Sequence, residues 1–166
     1  MICPLTVGGS FEAKTPSLAG TVAVTTSHPA AFAGDLAVDL RSLDTGISLR
    51  NDHLRDEYLE VGKGQGFDKA VLSDIHLGDV DSETFQGRTS FTGTLLLHGT
   101  KKDISGQAEV RREGSSVRIE ATLPIVLADH GIPKPQYLGV GVKSQVQVKV
   151  SFVATPVATT SAGGSR

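Results

Sequence analysis

Hydrophobic and polar residues alternate with a period of two along much of the chain. Between positions 142 and 152, valine, serine and phenylalanine occupy one face, and lysine, glutamine and serine occupy the other. Residues 117–127 repeat this pattern, and weaker examples are residues 21–26, 36–40, 71–77 and 91–97. Successive side chains of a β-strand point to opposite faces of its sheet, so the pattern predicts a mainly antiparallel β protein.

Turn residues separate these runs and indicate how two of them pair. Glu113-Gly114-Ser115 joins residues 101–112 to residues 115–127 at hairpin spacing, so we expect those two strands to be neighbours. In the weaker run at residues 71–77, the alternation predicts one shared face for Val71, Ser73, Ile75 and Leu77.

One short helix is predicted at residues 51–61. Asn51 is a typical N-cap residue, and the residues that follow at helical spacing share an apolar face: Leu54, Tyr58 and Val61. Three glycines after position 61 predict the end of this helix. Many short strands with one helix fit either a sandwich with a filled core or a barrel that holds a ligand. The inward residues are mostly aliphatic and of medium size, which leaves both alternatives open.

The amino-acid composition limits which classes of partner we expect the protein to bind. The chain has 166 residues, a mass of 17.3 kDa and a formal net charge of −2, so no strong field attracts nucleic acid. No stretch is long and apolar enough to predict a transmembrane segment. The single cysteine, Cys3, excludes a disulfide within the chain and is interpreted as an incidental thiol. The first ten residues lack the basic and apolar regions of a secretory signal, so none is predicted.

Candidate catalytic chemistry is sparse in the sequence. The five histidines form no HxH or HExxH pair, and no GxSxG motif is present, so we predict no catalytic residue, no metal and no cofactor. Residues 155–166 are small and polar, and we predict a flexible tail there behind one domain at residues 5–154.

Three segments, taken in order, resemble the YceI-like family of lipocalin-like, polyisoprenoid-binding proteins. Residues 43–61 contain LDTG, LRNDHLR and YLEV, residues 91–102 read FTGTLLLHGTKK, and residues 129–132 read DHGI. His130 stands where the family motif has phenylalanine. The family also has a strand ahead of the segment that matches residues 7–11, and only six residues precede it here. We therefore expect either a truncated start or a barrel with one strand fewer and an unpaired edge.

The resemblance implies an all-β fold, an antiparallel lipocalin-like barrel of about eight strands with one helix near an end. It also implies a non-enzymatic role in binding, sequestering or transporting a long-chain isoprenoid lipid, such as a polyprenyl or quinone tail. Such proteins are periplasmic or secreted and are associated with stress response; without a signal peptide in the sequence as given, a cytoplasmic location stays open. The apolar lumen would be formed by inward residues from four strands: Leu36, Val38, Leu40, Phe91, Leu95, Leu97, Ile119, Ala121, Leu123, Val146, Val148, Val150 and Phe152.

Two other functions stay open at this point. One is an enzyme that acts on a small apolar substrate at the barrel mouth, with His98, His130 or His53 as the base. The other is a structural barrel with a filled core. The sequence also leaves open whether the protein forms a homodimer.

Overall fold

The strands of this protein cover most of the chain. The computed structural model describes residues 1–25, 31–78, 86–137 and 139–155, so the predicted tail lies outside the described residues except for Thr155. The strands are β1 (Ile2–Pro4), β2 (Ser10–Glu12), β3 (Leu18–Thr25), β4 (Ala31–Asp39), β5 (Lys69–Leu77), β6 (Gly87–Leu97), β7 (Thr100–Glu113), β8 (Ser116–Val126), β9 (Gln136–Tyr137), β10 (Val140–Gly141) and β11 (Gln145–Ala154).

Nine of these described strands form one antiparallel sheet that curls into a half-barrel. Their order is β2-β1-β11-β8-β7-β6-β5-β4-β3, and β9 and β10 form a separate two-stranded ribbon. The predicted antiparallel barrel-like fold is confirmed, as is the β7–β8 hairpin, in which Glu113 lies opposite Ser116. Gly114 closes that hairpin with a φ of 63°, a left-handed conformation that glycine adopts without strain.

The two edges of the sheet do not close onto each other in the described part of the chain. β1 pairs with β11 at one position, where Ile2 lies opposite Gln147. Beyond Gln147, the remaining length of β11 has a strand partner on its β8 side alone within the described ranges. This unpaired edge of β11 leaves a gap in the wall of the half-barrel.

The helical segment begins earlier than the sequence predicts. An α-helix, α1 (Ser48–Asp52), continues directly as a π-helical turn (His53–Tyr58), and 3-10 turns occupy Leu40–Ser42, Val61–Lys63 and Leu127–His130. The predicted N-cap role of Asn51 is wrong, because Asn51 lies inside α1. Its side-chain oxygen accepts hydrogen bonds from the backbone and the hydroxyl of Thr45, and its amide donates to Asp44.

The predicted shared face in residues 71–77 is also wrong. The β5–β6 register shifts between Ser73 and His76, and Asp74 has a φ of 51° within this bulge. An inserted residue moves the alternation by one position. Ala70 and Leu72 consequently face the interior in place of Val71 and Ser73, whereas Leu77, beyond the bulge, packs on the core as expected.

Candidate functional site

A cavity of about 510 Å³ lies inside one end of the half-barrel, which we call the hollow end. The strands β4, β5, β6, β8 and β11 supply much of its wall, largely as leucine and valine side chains. The helical segment covers it with Leu54, Tyr58 and Leu59. The N-terminal segment adds Cys3 and Phe11. A pocket of this volume and apolar character is in the size range of small-molecule sites.

Nine of the thirteen residues predicted for the lumen line this cavity. They are Leu36, Val38, Leu40, Leu95, Leu97, Leu123, Val146, Val148 and Val150. Eight of them lie in strands, whose alternation places them on the inner face, and Leu40 lies in the 3-10 turn directly after β4. Val146 is 1% exposed. That they contact a ligand stays a prediction.

The other four predicted lumen residues lie away from the cavity wall. Phe91 and Ala121 are packed on the main core cluster next to the cavity. Ile119 and Phe152 belong to a second cluster, which we call the packed end and which also contains Val22, Leu77, Val110 and Val117. Side chains fill the half-barrel there, so the same inward alternation produces a solid core at one end.

Several cavity residues were missed by sequence reasoning because they lie in segments without a recognisable pattern. Cys3, Phe11 and Ala13 come from β1, β2 and the residue after β2, and these strands are too short to show an alternation. Burial raises the pKa of the Cys3 thiol to about 11, so the side chain is a neutral part of the apolar wall at physiological pH. Leu54 and Tyr58 did carry a signal, since they share the apolar face of the predicted helix.

The cavity reaches the surface at the gap beside β11, which we call the mouth. Exposed residues from both sides of the gap line it there: Lys14 and Pro16 from the segment before β3, and Lys149 and Ser151 from β11. Lys14 Nζ lies 2.7 Å from Glu12 Oε2, and this contact raises the pKa of Lys14 and lowers that of Glu12. The mouth therefore combines an apolar interior with polar and charged groups at its rim.

Two histidines form a buried cluster that ties the helical segment to the sheet. His98 Nε2 lies 2.8 Å from Glu60 Oε2, and His98 Nδ1 lies 3.0 Å from the carbonyl oxygen of His130. His130 is 2% exposed, and its Nδ1 lies 3.3 Å from the carbonyl oxygen of Thr100. Glu60 and His98 both have positive φ angles, 50° and 52°, so their contact joins two segments held in a sparsely populated backbone conformation.

These histidines lie outside the cavity wall, as does His53, whose Nε2 is 3.9 Å from Glu57 Oε1 on the helical segment. The structure thus does not bring together at the mouth the three candidate bases of the enzymatic alternative. Across the described ranges, no group of three or more histidine, cysteine, aspartate and glutamate side chains is arranged to hold a metal ion. Nor does any helix in those ranges have the length and apolar character needed to span a membrane.

The fold is similar to several solved structures. BcnA from Burkholderia cenocepacia superposes with a TM-score of 0.66 at 18% identity, covering 84% of each chain. A YceI protein from Campylobacter jejuni gives 0.67 at 16% identity, covering 90% of this chain and 87% of that one. A polyisoprenoid-binding domain from Saccharophagus degradans, implicated in plant cell wall breakdown, gives 0.65 at 19% identity, covering 93% and 91%.

No curated protein sequence matches the chain. The sequence model of the YceI-like domain matches residues 2–154, which is most of the chain. That match confirms the resemblance seen in the three sequence motifs. The chain belongs to the YceI-like domain family.

Proposed function

We propose that this protein binds the isoprenoid chain of a lipid, non-covalently and without chemical conversion, inside the cavity of the hollow end. The single observation that carries this proposal is an apolar cavity of about 510 Å³ enclosed by a curled sheet and a helical segment. The structural similarity to a polyisoprenoid-binding domain supports the same ligand class.

The physical basis is the transfer of hydrocarbon out of water. Each methylene gains roughly 0.8 kcal/mol on burial in an apolar site. Ten enclosed methylenes would contribute about 8 kcal/mol before the entropic costs of association are subtracted. A flexible chain can follow an irregular aliphatic wall, so binding needs few polar contacts within the cavity.

The polar end of such a lipid would lie at the mouth. Lys14, Thr15, Lys149 and Ser151 offer ammonium and hydroxyl groups there, which suit either a quinone oxygen or a phosphate. The candidate bases, His98, His130 and His53, lie outside the cavity wall, which supports carriage or storage of the lipid over its conversion. We place this role in one domain at residues 5–154, in the periplasm or outside the cell.

Mass spectrometry of a mild organic extract tests the ligand class directly. Protein purified from its source organism should release a lipid with an isoprenoid chain, either a quinone or a prenyl phosphate. Delipidated protein should then bind the same lipid again with one equivalent per chain. An extract with no isoprenoid, together with a delipidated protein that binds none, would overturn the proposal.

A matched pair of substitutions on β11 locates the site. Val148→Asp places a charge in the cavity wall, and we expect binding to fall at least hundredfold because a buried carboxylate is poorly solvated. Val153→Asp makes the same change on the same strand at an exposed position, and it should leave binding within twofold of the unmodified protein. Equal loss in both variants would place the lipid elsewhere.

A further inference from the structure

The charged side chains at the mouth of the cavity have one sign. Among the described residues that line the cavity, the charged side chains are those of Lys14 and Lys149, and none is a carboxylate. Both lysines are exposed, so their ammonium groups lie at the rim and the interior stays apolar. A ligand that fills the cavity therefore meets positive charge where it reaches water.

The strand register places these two lysines on opposite sides of the gap and on the outer face of the sheet. Ile2 of β1 lies opposite Gln147 of β11 on one side and opposite Glu12 of β2 on the other. Lys149 and Lys14 each follow two positions later along the chain, and residues two positions apart share a face. Two strand spacings, about 10 Å, separate these positions of the register. The long lysine side chains can therefore approach one group seated between them.

The carboxylates beside the mouth do not neutralise both lysines. Lys14 Nζ lies 2.7 Å from Glu12 Oε2, and Lys14, with a weaker contribution from Lys149, lowers the pKa of Glu12. Asp44, whose backbone pairs with that of Lys14, accepts a hydrogen bond from the side-chain amide of Asn51, 2.7 Å away. Across the described ranges, Lys149 forms no ion pair. One ammonium group at the rim is therefore left without an anion.

We infer that the mouth selects an anionic head group, so that the lipid held in the hollow end is a prenyl phosphate and not a quinone. This inference rests on the proposed function and narrows its ligand class. A phosphate carries a charge of about −1.5 to −2 at neutral pH and has three acceptor oxygens. Hydrogen bonds between ionised groups are roughly twice as strong as those between neutral groups. A quinone oxygen can accept a hydrogen bond from Lys149, but it leaves the ammonium charge uncompensated.

Three ligands with the same chain of four isoprene units and different head groups provide the test: geranylgeranyl monophosphate, geranylgeraniol and a quinone. Their affinities would be measured by displacement of a dansyl-labelled farnesol from the delipidated protein. In about 20 mM salt, we expect the phosphate to bind at least tenfold more tightly than the alcohol or the quinone. In about 0.5 M salt, most of this difference should disappear, because salt screens exposed charges. Inorganic phosphate alone should not displace the label, since it has no chain to bury.

A matched pair of lysine substitutions assigns the effect to the mouth. Lys149→Gln should lower the affinity for the phosphate at least fivefold and leave that for the alcohol within twofold, which also shows that the cavity is intact. Lys102→Gln is the control, since it removes the same charge from an exposed position on β7, in the middle of the sheet and outside the cavity wall. It should leave the affinities for all three ligands within twofold.

Charge reversal enlarges the effect. Lys149→Glu should lower the affinity for the phosphate at least fiftyfold and again spare the alcohol. Equal affinities for the three ligands, equal losses in Lys149→Gln and Lys102→Gln, or displacement of the label by inorganic phosphate would overturn the head-group assignment and leave lipid binding intact. If neither the labelled farnesol nor any of the three ligands binds, the proposed function itself fails.

Discussion

The hollow end and the packed end of the half-barrel share the strands β3, β5, β8 and β11 and differ in what fills them. At the hollow end, leucine and valine side chains surround a cavity of about 510 Å³. At the packed end, Val110, Ile119 and Phe152 meet in a solid cluster. Gly106 leaves room for the Phe91 ring, and Gly93 in the same way leaves room for Leu72, which lines the cavity.

This difference shows that an alternating pattern determines which side chains point inward but does not determine whether they fill the interior. Whether the interior of a barrel is filled depends on which side chains meet from strands far apart in sequence. The two ends should therefore respond differently to the same perturbation.

The largest effect concerns Cys3, which reports on the wall of the hollow end. Because burial raises its pKa to about 11, from an ordinary value of 9.0, the thiol carries about a hundredfold less thiolate at neutral pH than a free cysteine. We expect its reaction with a thiol reagent such as DTNB to be at least hundredfold slower at pH 8 in the folded protein than in urea. The rate should rise about tenfold per pH unit up to that pKa.

The reaction rate of Cys3 should also depend on whether a lipid is bound. Cys3 lines the cavity, so a prenyl phosphate that fills it should slow the reaction severalfold further. A folded protein whose thiol reacts as fast as it does in urea would show that the hollow end is open to water at Cys3.

A second comparison uses two buried valines, one at each end. Val110 is 0% exposed in the packed end and Val146 is 1% exposed beside the cavity. We expect Val110→Ala to lower the free energy of unfolding by about 2–3 kcal/mol. Val146→Ala should lower it by about 1 kcal/mol, because one side of that residue faces the cavity and has fewer contacts to lose.

Urea unfolding of both variants without lipid checks this difference. The losses of unfolding free energy in the two variants should become similar when a lipid fills the cavity, since a bound chain supplies the contacts that Val146 lacks in the empty protein. Equal losses in the lipid-free protein would mean that the hollow end is as well packed as the other.

Sequence reasoning anticipated the parts of this fold that depend on local periodicity. The alternation in β8 and β11 placed Leu123, Val146 and Val148 on the inner face, and the Glu113-Gly114-Ser115 turn identified the β7–β8 hairpin. These features follow from the two-residue repeat of a strand and from turn chemistry, both of which are read within a few positions.

The remaining features depend on contacts that no local pattern encodes. The bulge at Asp74 reverses the inner face of β5, and the alternation of residues 71–77 gives no sign of it. The Phe91 ring fills the space beside Gly106 on the neighbouring strand, and either residue alone fits an ordinary core. Motif resemblance named the family, but it did not show where the lumen ends.

The smallest expected effect is a pH dependence that also differs between the ends. Lys63, and to a lesser degree His98, hold the pKa of Glu60 below its ordinary value of 4.5 at the hollow end. At the packed end, Arg118 lowers the pKa of Glu113 in the same direction. A lowered pKa in the folded state contributes stability that is complete above the unfolded value and is lost as the pH falls through the folded value.

Glu60→Gln and Glu113→Gln should therefore be less stable than the unmodified protein above pH 4.5 and should converge with it in more acidic solution. We expect the larger loss for Glu60→Gln, because Glu60 also contacts His98, whose side chain is 9% exposed, whereas Arg118 and Glu113 are 36% and 45% exposed and are screened by water. Urea unfolding at several pH values from 3 to 7 measures the free energy of unfolding of both variants. If Glu113→Gln lowers the free energy of unfolding as much as Glu60→Gln does, the contact between Glu60 and His98 adds no stability. The helical segment over the cavity would then be held by its other contacts.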